Sequence, residues 1–198
     1  MFRESQQREG FVPLYNIRTD LALEAKEIVQ THTAAEIPGV LSENLQEDGI
    51  AISRMQVQTE QAAQQLGKSV GRYLTLEAPG LRRKDARLQD RVSEVLAREL
   101  LNFLELPSDL NQTVLVVGLG NWNVTPDSLG PKVIEDLLVT RHAVSGGQKI
   151  LGEGFRSVCA ISPGVLGTTG METGEIISAL VARVKPSLVI VIDALAAR

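Results

Sequence analysis

The stretch TVLVVGL, residues 113–119, is a continuous run of apolar and mostly β-branched side chains. Runs of this kind are typical of a strand that is buried on both faces of a parallel sheet. Two similar runs follow at residues 157–161 and 188–192. Helical periodicity lies between them, at residues 131–140 and 176–184. Because strands and helices alternate, we predict an α/β fold with a mostly parallel sheet.

The first half of the chain carries further signals of regular structure. Residues 50–57 and 71–76 have strand-like composition, and residues 59–67 between them are compatible with a helix. The strongest helical pattern in the chain covers residues 82–106, where apolar side chains recur on one face. A shorter helix is predicted at residues 21–30, so the first half is also expected to be α/β.

These patterns divide the chain into three parts. Residues 1–20 form a polar end segment that is suited to removal by processing. Residues 21–110 are predicted to be the N-terminal α/β part of a domain, and residues 111–198 its strand-helix-strand core. Because only six residues follow the last predicted strand, we expect the domain to be incomplete in this sequence and the protein to be longer.

Composition and charge exclude several classes of protein. The 198 residues are 43% hydrophobic, which is sufficient for a core, and carry a formal net charge of −4. This charge argues against direct binding of nucleic acid. No stretch is long and apolar enough to predict a membrane span or an export signal. With two histidines and a single cysteine, Cys159, which is predicted to be a buried structural thiol, we expect a reducing, cytoplasmic compartment and no Cys/His zinc site.

Two aspartates follow predicted strands. Asp127 lies in the loop after the strand at 113–119, and Asp193 directly follows the strand at 188–192. Functional groups of open α/β sheets collect outside the carboxyl ends of the strands. If these two strands are neighbours, the carboxyl groups face one crevice and can share a proton, which suits acid and base catalysis on a water that attacks a peptide bond. Helix capping or turn formation is the alternative role of each aspartate, and a divalent metal ion held by both is another.

Two loops near these aspartates are candidates for ligand binding. Residues 118–123 begin like a dinucleotide-binding fingerprint, although Asn123 stands where glycine or alanine is required. The alternative function is therefore a small-ligand or nucleotide-binding α/β module. Residues 162–170 could instead present backbone N–H groups to a substrate carbonyl or an anion, or be a flexible connection. The candidate substrate-binding glycines of this second loop are Gly164, Gly167 and Gly170.

The motif VGLGNWNVTPDSLGP, residues 117–131, resembles the signature of the germination proteases of endospore-forming bacteria. Three further stretches resemble the same family. They are GRYLTLEA at 71–78, the loop PGV at 163–165 with the glycines that follow it, and IDALAAR at 192–198. The resemblance extends from about residue 18 to residue 198.

This resemblance implies an activity and a site. Members of the family are zymogens of atypical aspartic endopeptidases, form homotetramers and degrade small acid-soluble spore proteins during germination, which implies the cytoplasm of the forespore and the spore core. The family's two catalytic aspartates fall on Asp127 and Asp193. Its three-layer α/β/α fold, of the phosphorylase/hydrolase type, is similar to that of hydrogenase-maturation endopeptidases. Those enzymes engage a metal through acidic residues at the corresponding sheet edge, so the resemblance leaves the use of a metal open.

The resemblance also predicts a processing site. The family cuts its substrates at sites like Thr-Glu-Phe-Ala-Ser-Glu, between the first acidic residue and the aromatic residue. Residues 19–24 read TDLALE and are similar. We therefore predict self-cleavage between Asp20 and Leu21, which would release residues 1–20 as a propeptide. Family members are longer than this sequence, so we expect the isolated chain to carry the aspartates and yet to be inactive.

Overall fold

The structure is a computed structural model of the chain and describes residues 21, 22, 24, 37–83, 85–145 and 154–195. The backbone divides into two units, and the division falls between Leu104 and Glu105. Each unit contains a three-stranded sheet. None of the helices in the described part of the chain is long and apolar enough to cross a membrane.

The sheet of the first unit is an antiparallel meander of β1 (Val40–Glu47), β2 (Ile50–Val57) and β3 (Gly71–Glu77). Asp48 and Gly49 connect β1 to β2 with φ values of 49° and 80°. Positive φ at both central residues is what a type I′ hairpin turn requires. The two strands β2 and β3 are predicted from the sequence, whereas their antiparallel pairing is not.

The strand β1 is missed by the sequence patterns. It lies at the edge of the meander, and six of its eight side chains are exposed. A strand with so few buried side chains has no reason to alternate apolar and polar residues, so it gives no periodic signal. The Asp48-Gly49 dipeptide before the alternating residues of β2 was the available indication of a hairpin.

Two helices pack on opposite faces of this meander. Helix α1 (Glu60–Leu66) buries its apolar side chains together with Met55 and Val57 of β2. Helix α2 (Ala86–Phe103) buries Val95 together with Ile50 and Ile52, whose side chains point to the other face. The alternation of side chains along β2 therefore separates two small apolar clusters.

Charged side chains join α2 to the hairpin. The side chain of Glu99 is only 1% exposed. Its carboxylate accepts hydrogen bonds at 2.9 Å from both Nε and Nη2 of Arg54, and at 3.3 Å from Arg98. Arg98 and Arg91 of the same helix both reach Glu47 on β1, at 2.8 and 2.7 Å. The buried carboxylate is thus surrounded by guanidinium groups, which compensate for its loss of hydration.

The second unit contains a parallel sheet of β4 (Val114–Gly118), β5 (Val158–Ile161) and β6 (Leu188–Ile192) in the order β5-β4-β6. All five residues of the central strand β4 are buried. Its continuous apolar run in the sequence is explained by this position, because a central strand covered on both faces has no polar side. The prediction of an α/β fold with a parallel sheet is confirmed for this unit.

The described helices of the second unit differ modestly from the predictions. They are α3 (Leu129–Asp136), α4 (Arg141–Ser145), α5 (Leu166–Thr169) and α6 (Thr173–Val184). The helix predicted at 131–140 is α3, which begins two residues earlier and ends four residues earlier than predicted, and α4 was not predicted. The predicted glycine loop contains the short helix α5, and α6 begins three residues before the predicted start. These shifts lie at helix boundaries, where periodicity is least informative.

Arg54 pairs with two carboxylates, one buried and one exposed. We expect the buried carboxylate, that of Glu99, to contribute more to stability than the exposed one. The exposed one belongs to Glu43, whose side chain is 57% exposed. Replacing Glu99 by alanine leaves a guanidinium without its buried partner and should cost about 2 kcal/mol, less than for a fully buried pair because Arg54 is partly exposed. Glu43→Ala is the matched control and should cost under about 1 kcal/mol. Urea unfolding measures both; equal losses would contradict the expectation.

We also expect this network to weaken in acid. The hydrogen bond from Arg98 lowers the pKa of the Glu47 carboxyl, and the nearby charges of Arg98 and Arg91 act in the same direction. A glutamate with a depressed folded-state pKa stabilises the fold above its unfolded-state pKa of about 4.3, and this contribution is lost as the pH falls through the folded-state value. The Tm should therefore fall less between pH 5 and pH 3, roughly the range of glutamate titration, in Glu47→Gln than in the wild type.

The control for the acid experiment is Glu77→Gln, which changes an exposed glutamate on β3. This variant should show the same acid-induced decrease of Tm as the wild type, measured by circular dichroism. A Glu47→Gln variant that follows the wild-type profile would show that Glu47 does not carry the effect.

Candidate active site

Asp127 and Asp193 both belong to the carboxyl edge of the parallel sheet. Gly118, the last residue of β4, pairs with Ile192, the last residue of β6. One residue further on, the Leu119 N–H donates to the Ile192 carbonyl at 2.8 Å. Asp193 directly follows Ile192, and the loop that contains Asp127 directly follows β4. The two strands are therefore neighbours, which is the condition that the sequence argument required.

Asp127 is held by the loop that it ends. It is the last residue of a short 3-10 helix, Thr125–Asp127, and is half-buried. Its Oδ2 accepts a hydrogen bond from the Asn121 N–H at 2.9 Å, and its own carbonyl accepts from the same N–H at 3.0 Å. The carboxylate therefore has one oxygen engaged with the loop backbone.

Asp127 is not the N-cap of the helix that follows. The N-cap residue of α3 is Ser128, whose hydroxyl donates to the Thr125 carbonyl at 3.0 Å. Closing the loop through Asn121 is the structural role that the hydrogen bonds of Asp127 indicate. The capping interpretation is thus wrong for Asp127, whereas turn formation describes part of what it does.

Asp193 is more open to solvent. Its side chain is exposed, and its Oδ1 accepts a hydrogen bond from the Ala194 N–H at 2.8 Å. Like Asp127, it uses one carboxylate oxygen for a local backbone contact. The two acids therefore combine a half-buried and an exposed carboxyl group at the ends of adjacent strands.

The glycines of the motif allow three close backbone contacts. A Cβ on Gly118 would lie 2.3 Å from the Gly130 carbonyl oxygen, and one on Gly130 would lie 2.2 Å from that of Leu119. A Cβ on Gly120 would lie 2.0 Å from the Asp127 carbonyl oxygen. These glycines let the start of α3 and the loop pack against the end of β4. The space beside Gly120, where a nucleotide-binding loop would approach phosphate, is filled by Asp127.

The second glycine loop follows β5 and so begins at the same edge of the sheet. Gly164 and Gly170 have positive φ values of 78° and 69°. Gly167 lies within α5, with open space around the position of a Cβ. The Val165 carbonyl accepts hydrogen bonds from the N–H groups of the two threonines that follow in α5, so part of this loop is a hydrogen-bonded turn. A role of its glycines in binding substrate stays a prediction.

Residues 18–198 match the family model described as germination protease. The chain belongs to this family. It is 52% identical over 182 residues to the germination protease of Caldanaerobacter subterraneus subsp. tengcongensis, an alignment that covers 92% of this chain and 55% of the relative. It is 46% identical over 183 residues to that of Clostridium tetani, with 92% and 56% covered. The germination protease of a Geobacillus species is 48% identical over 193 residues, with 93% and 52% covered.

The resemblance drawn from the motif at residues 117–131 is therefore confirmed. The chain spans about half the length of the curated germination proteases that it matches. The matched region contains both aspartates, the glycine loop after β5 and Leu21.

The described residues of this germination protease family member offer few ligands for a metal ion. No group of three or more His, Cys, Asp or Glu side chains in the described part of the chain is arranged to hold one. A divalent cation at Asp127 and Asp193 would thus have two carboxylates from these residues and would need further oxygen ligands. Cys159, predicted to be a buried thiol, is only partly buried; its desolvation raises the pKa of the thiol, which disfavours the thiolate form that a nucleophile requires.

The predicted processing site lies at the margin of what the structure describes. Leu21 is exposed, with 38% of its surface accessible, as a cleavage site requires. Asp20 and residues 1–19 lie outside the described residues. The cleavage itself stays a prediction.

Two features of the site are missed by reasoning from the sequence. The first is Asn121, because its contact with Asp127 uses a backbone N–H and carries no residue-type signal. The second is a group of large apolar side chains that are exposed in the segments after β4, β5 and β6, two of them at the first residues of α3 and α5. They are Trp122, Val124, Leu129, Leu166, Met171 and Leu195. Their position in the segments that follow the predicted strands, two of which also carry the predicted catalytic aspartates, was the available signal.

Proposed function

We propose that the protein is an endopeptidase of atypical aspartic type in which Asp127 and Asp193 together act on the water that attacks a peptide bond. The observation that carries this proposal is the position of the two aspartates at the ends of the adjacent parallel strands β4 and β6. Membership of the germination protease family supports the same activity.

The hydrogen bonds of the two carboxylates suit this chemistry. Oδ2 of Asp127 and Oδ1 of Asp193 each accept one backbone N–H. In the described part of the chain, this leaves the second oxygen of each group for water and substrate. One carboxylate accepts a proton as the water oxygen bonds to the peptide carbon, and the other, protonated, donates to the carbonyl oxygen. Proton transfer to the peptide nitrogen then allows the C–N bond to break.

Two other groups of residues have roles in this proposal. The backbone at Gly164, Gly167 and Gly170 binds the substrate chain or stabilises the oxyanion that forms at the attacked carbonyl. The exposed apolar side chains around the two acids contact apolar residues of the substrate. Exposed apolar side chains in the segments that also carry the acids suit an extended polypeptide better than a small polar ligand.

We propose further that the substrates are small acid-soluble spore proteins and that the protein is made as a zymogen. Cleavage between Asp20 and Leu21 would activate it by removing residues 1–20. We also propose a homotetramer in the cytoplasm of the forespore and spore core. We propose a three-layer α/β/α fold for the protein, which the parallel sheet of the second unit supports.

Replacing either aspartate by asparagine should prevent self-processing. Asparagine has nearly the same shape but cannot accept or carry the proton, so we expect the rate to fall by at least about 100-fold. The protein is produced from its complete gene as wild type, Asp127→Asn and Asp193→Asn, mildly acidified, and examined by intact mass and N-terminal sequencing. Only the wild type should lose residues 1–20.

The control for this experiment is Asp136→Asn, which changes an exposed aspartate at the end of α3. It should be processed like the wild type. If the wild type also stays intact while folded, and cuts no peptide that contains Thr-Glu-Phe-Ala-Ser-Glu, the proposal of an endopeptidase is wrong. Equal processing of all four proteins would exclude the aspartate pair.

Removing divalent metal ions should leave the activity unchanged within about twofold, because in this proposal the carboxylates themselves transfer the protons. Peptide cleavage is measured before and after dialysis against EDTA, with the Tm recorded to detect any loss of folding. Loss of cleavage at an unchanged Tm, with recovery on adding Mg²⁺, Mn²⁺ or Zn²⁺, would show instead that a metal activates the water.

A further inference from the structure

The loop between β4 and α3 is closed on itself by four hydrogen bonds, three between backbone groups and one from a backbone N–H to a carboxylate oxygen. The Asn121 N–H donates both to Oδ2 and to the carbonyl of Asp127, at 2.9 and 3.0 Å. The Asn121 carbonyl accepts the Val124 N–H at 3.1 Å, and the Val124 carbonyl accepts the Asp127 N–H at 2.8 Å. Asn121 therefore contacts the loop at its middle and at its end. The path of the loop brings Asp127 back beside its starting point.

The side chain of Asn121 adds a further restraint. Its Oδ1 accepts the N–H of Asn123 at 3.0 Å, which is an Asx turn. This contact limits the rotation of the backbone around Asn121, so the N–H that reaches Asp127 keeps its direction.

Gly120 determines how near Asp127 can come. Its φ is 118°, which an L-residue rarely adopts. A Cβ there would lie 2.0 Å from the Asp127 carbonyl oxygen and 3.1 Å from Oδ1 of its carboxylate. The nearest atom belongs to the backbone and cannot turn aside as the end of a side chain can. Any residue other than glycine would therefore displace Asp127.

The same segment is tied to the strand that carries the second acid. Leu119, next to Gly120, donates its N–H to the carbonyl of Ile192, and Asp193 follows directly. A continuous chain of contacts thus runs from the backbone next to Asp193, through Leu119 and Gly120, to the carboxylate of Asp127.

We propose that Gly120 and Asn121 are positioning residues that set the location of the Asp127 carboxylate relative to Asp193. This inference rests on the proposed function for its kinetic consequence, whereas the positioning itself is measurable without any activity. Neither residue touches the substrate in this proposal. Their replacement should change the rate of the chemical step and leave substrate binding nearly unchanged.

The first test is Gly120→Ala in the protein produced from its complete gene. We expect kcat for a Thr-Glu-Phe-Ala-Ser-Glu peptide to fall about 100-fold, the usual effect of displacing a catalytic group by about 1 Å, with KM within about threefold. Hydrogen–deuterium exchange in a peptide covering residues 119–128 should become roughly tenfold faster, because the Asn121 N–H loses its acceptors. The matched control is Gly49→Ala, at a φ of 80° with nothing within 4 Å of a Cβ. It should keep the wild-type kcat and exchange in this peptide.

The second test uses Asn121, in case Gly120→Ala does not fold. Asn121→Ala removes the acceptor for the Asn123 N–H but keeps the backbone N–H, so kcat should fall by a smaller factor, about tenfold. Asn121→Ser supplies a weaker acceptor of the same kind and should recover part of the loss. A purely structural role would not give this recovery at constant KM.

The outcomes separate the positioning proposal from the proposed function. If exchange in residues 119–128 rises in Gly120→Ala while kcat stays at the wild-type value, or if exchange does not change, the positioning proposal is overturned. If the wild-type protein cuts no peptide, the proposed function fails, and the positioning proposal is then tested by hydrogen–deuterium exchange in residues 119–128 alone. Faster exchange in Gly120→Ala then supports the positioning of Asp127, and unchanged exchange refutes it. If Gly120→Ala does not fold, equal kcat in wild type and Asn121→Ala overturns the proposal.

Discussion

The parallel pairing of β4 with β6 is the constraint on which the site depends. β4 is the central strand and is buried over its whole length, so its ends are defined by the packing on both sides. Once Gly118 lies opposite Ile192, the residues that leave the two strands begin side by side. This register brings the segments that carry the two aspartates, 66 positions apart in the chain, to one edge, and the closed loop after β4 then holds Asp127 there.

The two units achieve their packing by different means. In the second unit, backbone approaches backbone at the glycines of the β4–α3 loop. In the first unit, long charged side chains join α2 to the β1–β2 hairpin, with the carboxylate of Glu99 buried among them. Close backbone contact restricts position to a few tenths of an ångström, whereas ion pairs on flexible side chains tolerate larger shifts. The more restrictive kind of contact lies next to the two aspartates.

The sequence predicts the structure well at positions whose surroundings admit only certain residue types. The run at 113–119 indicated a buried central strand because only apolar side chains suit that place, and the sheet-edge rule led to Asp127 and Asp193. The strand β1 was not predicted, because an exposed edge strand imposes little on its side chains and only the Asp48-Gly49 dipeptide indicated a hairpin. The role of Asn121 was also hidden, because any residue except proline supplies a backbone N–H.

The close contacts at Gly118, Gly120 and Gly130 have a consequence for evolution. A side chain at any of them would collide with backbone atoms, so these positions are closed to change whether or not the protein has any activity. The aspartates are constrained differently, since an asparagine or serine in their place would collide with nothing. We therefore expect that a descendant without the activity would keep the three glycines, whereas its two aspartates could be substituted. In this chain the three glycines are thus required by the packing of the backbone, whereas the aspartic acids are required by the proposed chemistry.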